Sequence, residues 1–153
     1  MHPFKVVNDF EEAVASYTGA PYCVAVNSCT NALFLCLEWQ KELDWRQIER
    51  TQDFTESKLS GFIEIPKKTY IGVAQSILNA GFNINFRDQQ WCGHYQLKPY
   101  PIWDSAKYFA FMMYHGRFSD YEQIEGDKAE HTYVCTSHHW AKTLGIQQGG
   151  CIS

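Results

Sequence analysis

The sequence predicts an α/β fold: three αβα layers built on a mostly parallel sheet. Three observations predict it. Short apolar runs of strand length alternate with segments of helical periodicity. Twice, a strand-like run ends in a small polar turn that opens onto an apolar helix, the order from which parallel layered sheets are built. The composition is also globular: of 153 residues 45% are apolar and 20% charged, with a net charge of −4. Disorder would need less apolar matter and more net charge.

The elements follow in order. Asn8-Asp9-Phe10-Glu11 resembles a capping box, and Phe10, Ala13, Val14 and Tyr17 recur at helical spacing before Gly19-Ala20-Pro21 stops the helix. Tyr22 to Val26 is a short apolar run expected to form a buried strand. Asn27-Ser28-Cys29-Thr30 is a polar turn, and Ala32 to Leu37 is strongly apolar helix. From Gln40 to Gly61 the chain is polar and charged, either an exposed extension of that helix or a surface loop. Phe62 to Pro66 is a strand stopped by proline, and Thr69 is placed to cap a helix through Ile71, Val73, Ala74, Ile77 and Leu78, ended by Gly81. Phe82, Ile84 and Phe86 alternate with asparagines as in a strand, Pro101-Ile102-Trp103 is a short strand ending at Asp104, and Thr132 to Cys135 is another. The apolar stretch Tyr108 to Tyr114 is expected to seek a partner chain.

Several function classes fall away. A chain of this charge does not hold nucleic acid through its overall field. No run approaches the roughly 20 apolar residues of a membrane helix. The start, Met1-His2-Pro3-Phe4-Lys5, lacks a secretory apolar stretch, so a cytoplasmic protein of one domain, residues 1–153, is expected. The six cysteines are scattered with no C-x-x-C pair, and most are expected to be buried small hydrophobes. His131, Cys135, His138 and His139 lie close together, but their spacing matches no familiar zinc site, and no metal is assigned. A Cys29–His139 nucleophile has no local signature.

In open α/β sheets ligands sit outside the carboxyl ends of strands, and Ser28-Cys29-Thr30, Thr69-Tyr70, Asp104 and Ser137 to Lys142 fall at those ends. Taken singly, each has an ordinary reading. The first is a helix cap, Asp104 another cap, Tyr70 packing and Lys142 a surface lysine. Their order says more. Asn27-Ser28-Cys29-Thr30-Asn31-Ala32-Leu33 resembles the N-S-G-T-x-A-L phosphate turn of the DegT/StrS sugar aminotransferases. Pro66-Lys67-Lys68-Thr69-Tyr70 is similar to that family's P-x-x-T-[FY], and Trp103-Asp104-Ser105-Ala106 to its D-[AS]-A. Ser137-His138-His139-Trp140-Ala141-Lys142, with Leu144 and Gly149-Gly150, resembles S-F-H-x-x-K-x-L…E-G-G, and Glu11 to Ala20 resembles E-x-x-x-A-x-x-x-G.

The resemblance implies a shortened large domain of the fold-type I pyridoxal-phosphate enzymes, working in polysaccharide biosynthesis. It would move an amino group from glutamate to a nucleotide-linked keto sugar. Lys142 would carry pyridoxal phosphate as a Schiff base and shuttle a proton. Asp104 would keep the pyridine nitrogen protonated, Tyr70 would stack on the ring, and Ser28, Cys29, Thr30 and Ser137 would hold the phosphate. The chain departs from the pattern in four places. Cys29 replaces a glycine, Lys107 stands where Gln or His is usual near the ring hydroxyl, His138 replaces Phe, and Gln148 replaces Glu. The stretch from Thr69 to Asp104 is short, and the family's C-terminal small domain is not expected in these residues. The resemblance also implies a homo-oligomer. A cofactor-binding or assembly module without catalysis is the competing expectation.

Overall fold

The computed structural model describes residues 3–52, 61–115, 132–145 and 147–153. Helix α1 spans Lys5–Thr18 and starts earlier than the capping-box reading requires. Asn8 is already inside its first turn, its N–H donating to Phe4 O at 3.0 Å, so no capping box forms there. Gly19, at φ 76, closes the helix by donating its N–H to Ala15 O.

Strand β1 spans Val24–Val26 and lies at the end of its sheet. The expectation of a buried strand is corrected, because Val24 is exposed. Its free edge is satisfied instead by a carboxylate, Glu11 Oε1 accepting from Ala25 N–H at 2.8 Å. Helix α2 (Cys29–Thr51) is opened by Ser28, whose Oγ accepts from the N–H of Asn31 at 3.2 Å. Buried Cys29, Ala32, Leu33, Cys36 and Leu37 line one stripe of it. The polar stretch after Gln40 is therefore helix as far as Thr51, and residues 53–60 lie outside the described ones.

Strand β2 (Phe62–Pro66), helix α3 (Ile71–Asn79) and strand β3 (Asn83–Arg87) form a parallel crossover, with Ile63 beside Ile84. Thr69 does not cap α3. Tyr70 is the capping residue, without a side-chain bond, and the Thr69 hydroxyl is engaged elsewhere.

Four further strands complete the chain: β4 (Tyr95–Gln96), β5 (Ile102–Asp104), β6 (Tyr133–Ser137) and β7 (Gly150–Ile152). With β1 they form one sheet in the order β1-β7-β6-β5-β4. Three of its four ladders are antiparallel and only β5–β6 is parallel. The sheet is mixed, which corrects the expectation of a mostly parallel one. The reason is local. Strands β4 and β7 are the two that run against β1, β5 and β6, and each is reached by a connection with no helix in its described part. Antiparallel neighbours tolerate such connections, whereas parallel ones need a crossover. Reciprocal backbone bonds between Glu64 and Lys98, at 2.8 and 3.2 Å, join β2 to the chain two residues past β4.

Helical segments cover both faces. On one, α2 and α3 pack on Ile63, Ile65, Tyr95, Leu97, Ile102 and Cys135. On the other, α1 packs Val14 on Cys23 and Cys151, while Tyr108, Phe109 and Met113 pack around Trp103 and Val134. The apolar stretch 108–114 is partly turned inward around Met113, with Phe111 and Met112 left exposed.

Candidate active site

The strand directions decide where the site lies. β1, β5 and β6 run alike, so their carboxyl ends open on one edge of the sheet. Val26 and Ser137 both pair with Gly150 there, and Asp104 pairs with Cys135. The turn into α2, the Asp104 segment and the segment leading to Lys142 therefore meet at one place.

Asp104 is its floor. It is only 6% exposed and sits on the face covered by α2. Oδ2 accepts from the Tyr95 hydroxyl at 2.7 Å, and Oδ1 accepts from the Ala106 N–H at 2.9 Å. Burial pushes its carboxyl above the usual range, against the lowering effect of these two bonds and of the Lys142 charge. A carboxylate held this deep gains most from a further donor or a cation. Lys142 is half-buried in a short turn, its N–H donating to His139 O at 2.8 Å, and its positive charge acts on both Asp104 and Cys29.

Cys29 begins α2, and its thiol points down. Sγ lies 3.4 Å from Cys135 O and 3.9 Å from Asp104 Oδ1, and burial followed by the Asp104 charge keeps the thiol protonated. So Cys29 can offer an anion only its amide, and this protonated thiol is no nucleophile paired with His139. The first turn of a helix leaves N–H groups unpaired, and Ser28 satisfies that of Asn31. The start of α2 is braced from beneath by β7, where a β-carbon on Gly150 would stand 2.6 Å from Cys29 N. Thr30 is on the same turn, its carbonyl accepting from Ser76 Oγ at 3.0 Å. Tyr70 reaches toward this turn, since a β-carbon at Gly72 would meet both the Tyr70 ring and Thr30 Oγ1. Tyr70 itself is 69% exposed.

The structure brings Ser28, Cys29, Thr30, Tyr70, Asp104, Ser137 and Lys142 to one strand edge. Lys107 is close in sequence, but its ammonium lies over the Trp91 ring, 5.4 Å from the centroid. His138 faces away: it is buried between Phe10 and Phe109, edge-on to both rings, with Nε2 3.1 Å from Cys151 Sγ. It fills an aromatic position, which suits a family pattern with Phe there. One functional neighbour, Tyr95, escaped the sequence reading, which takes Thr69 as a helix cap and part of a strand-end motif. Tyr95 and Thr69 form a hydroxyl pair that ends on Asp104. Among the described residues no group of His, Cys, Asp and Glu side chains is arranged to hold a metal, and His131 lies outside them.

Residues 2–90, more than half of the chain, match the DegT/DnrJ/EryC1/StrS aminotransferase family. The chain belongs to that family. No curated protein and no solved structure matches it. The family is pyridoxal-phosphate dependent, and the protein is aminotransferase-like in this general sense. The matched stretch contains the Ser28–Thr30 turn and Thr69-Tyr70, while Asp104, Lys107, Ser137 and Lys142 lie beyond it. The residues present fit the cofactor: a buried carboxylate lacking full compensation, a helix start beside it and a lysine whose charge reaches it. No described helix is long and apolar enough to cross a membrane.

Proposed function

We propose that this chain is a pyridoxal-phosphate aminotransferase-like domain, residues 1–153, whose cofactor is carried by Lys142. The observation that supports this best is Asp104, buried at the end of β5 beside the first residue of α2 and under the charge of Lys142. When bound, the cofactor supplies the electron sink for amino-group chemistry. The chain's own groups do the rest. Lys142 Nζ supplies the amine that attaches the cofactor and moves a proton. Asp104 holds a proton on the pyridine nitrogen. The hydroxyls of Ser28, Thr30 and Ser137, with the amide of Cys29, receive the phosphate, where a helix start favours an anion. Tyr70 covers one ring face, and Lys107 stands on the turn after Asp104. Glutamate as donor, a nucleotide-linked keto sugar as acceptor, a cytoplasmic setting and a homo-oligomer follow from the family resemblance.

Incubation with pyridoxal phosphate and reduction with borohydride should fix the added mass on Lys142. Label on Lys67 or Lys68, or no label, overturns the assignment. A second reading, a cofactor holder without turnover, is favoured by the exposure of Tyr70 and Trp140 around the site. A glutamate half-reaction separates the two: conversion of bound cofactor to its amine form supports the enzyme.

A further inference from the structure

Resting on that cofactor-site reading, we propose that Tyr95, backed by Thr69, is the positioning residue that sets the Asp104 carboxylate for the pyridine nitrogen. Tyr95 and Asp104 are direct partners in the β4–β5 ladder, so both side chains rise from the same face at closest approach. The phenol has one proton, and an ionised carboxylate is acceptor only. Tyr95 therefore donates to Asp104 Oδ2 and accepts from the Thr69 hydroxyl, giving a relay in one direction: Thr69 to Tyr95 to Asp104.

The relay is held rigidly. Tyr95 is buried, and Trp91 packs across it at 4.8 Å with an interplanar angle of 62°. Trp91 is tied in turn, its Nε1–H donating to Lys68 O at 2.7 Å, next to Thr69 in the chain. The Lys107 ammonium lies over the same indole, 5.4 Å from its centroid. Tyr95 donates to Oδ2, while Oδ1 takes the Ala106 N–H and, at 3.9 Å, the Cys29 thiol; these donors fix the plane of the group and leave a lone pair on Oδ2 for a ring N–H. Burial and the Asp104 charge keep the phenol protonated, and so a donor, far above neutral pH.

A structural tyrosine in the core would show the same hydrogen bond, so the test reads Asp104 itself. The groups facing Asp104 are Tyr95, Cys29, Cys135 and Lys142, and only the first is changed. In the cofactor-free chain, carbon-13 NMR of the Asp104 carboxyl should titrate higher in Tyr95→Phe than in wild type, because a donor to the charged form is gone. Thr69→Val should move it in the same direction by less. In parallel, pyridoxal phosphate affinity should fall about tenfold in Tyr95→Phe. In the Asp104→Asn background the Tyr95→Phe effect on affinity should vanish. An Asp104 titration unchanged in both Tyr95→Phe and Thr69→Val overturns the positioning role. A wild-type chain that takes up no pyridoxal phosphate, while its Asp104 titration still shifts in both variants, overturns the cofactor reading and sustains the relay. If Tyr95→Phe fails to fold, Thr69→Val decides by the same two readouts.

Discussion

Gly150 packs so closely beneath Cys29 that a β-carbon on it would lie 2.6 Å from the Cys29 backbone nitrogen. The nearby atoms are backbone: Cys29 N, Ser28 C and Thr136 O. None can swing aside as a side chain would. The Gly149-Gly150 pair is thus tied physically to the start of α2, although Gly150 and Cys29 are 121 positions apart in the chain.

Gly150→Ala should therefore lower stability by about 1–3 kcal/mol, the usual range for overpacking. It should also lift the first turn of α2 and weaken pyridoxal phosphate binding. Gly81→Ala is the control. Gly81 has φ 84 with nothing within 4 Å of an added β-carbon, so only backbone strain of about 1–2 kcal/mol is expected, with cofactor affinity unchanged. Urea unfolding and cofactor titration of the two variants check this. Equal effects on affinity would detach Gly150 from the site.

His138→Phe should raise stability in acid. His138 is buried between Phe10 and Phe109, facing Cys151, and desolvation lowers its pKa below the ordinary 6.5. The native state then holds its proton less tightly than the unfolded chain. Its contribution is present above 6.5 and is lost as pH falls through the lowered value. Phenylalanine removes that loss and also the buried Nδ1, which has no hydrogen-bond partner among the described residues. The advantage of the variant in thermal melting should grow from neutral pH toward about pH 5. A pH-independent difference would show that His138 binds its proton equally well in the native and unfolded chains.

The parts of the fold legible in the sequence were those with enough consecutive apolar residues to carry a period. Strand β2 falls on the run Phe62 to Pro66 that reads as a strand stopped by proline, and Ser28 caps α2 as a polar residue before an apolar stripe should. Strands β4 and β7 were missed because they are two and three residues long and one begins with glycine. That omission concealed the mixed sheet, since these are the reversed strands. It also concealed Tyr95, whose role comes from lying opposite Asp104 across a ladder. Thr69 was readable as a helix cap by position, but a hydroxyl bonds to whatever is nearest, and here that is Tyr95. The strand-end residues of the site were legible because their motifs are local. The relay behind Asp104 was not, because it is made by tertiary pairing.

The protein should self-associate in solution. Trp140 is 70% exposed, Tyr70 and Ile71 are comparably open, and all three are large apolar or aromatic groups. Exposed groups of this kind mark association surfaces when they are contiguous. Light scattering should give a mass that rises with concentration above that of one chain. Trp140→Ser combined with Ile71→Ser should return it toward the monomer without a loss of helical circular dichroism. A wild-type monomer at every concentration would overturn this.

Asp104→Asn should make the cofactor-free protein more stable and its cofactor binding weaker, and the pH dependence separates the two effects. Asp104 has a native pKa raised above its ordinary 3.8, chiefly by burial. The native state therefore binds this proton more tightly than the unfolded chain does. Its contribution to stability is full below 3.8 and is lost as pH rises through the raised value. Asparagine does not titrate. The stability of Asp104→Asn relative to wild type should thus increase with pH across that window and then level off, as read from urea midpoints in the cofactor-free chain. With pyridoxal phosphate the order should reverse, because a charge-assisted bond worth roughly 1.5–3 kcal/mol is lost, or about ten- to hundredfold in affinity. A relative stability that falls with rising pH would mean that Tyr95, Ala106 and Lys142 together over-compensate the buried charge. Asp104 would then be a structural ion pair, with no carboxylate left wanting a partner.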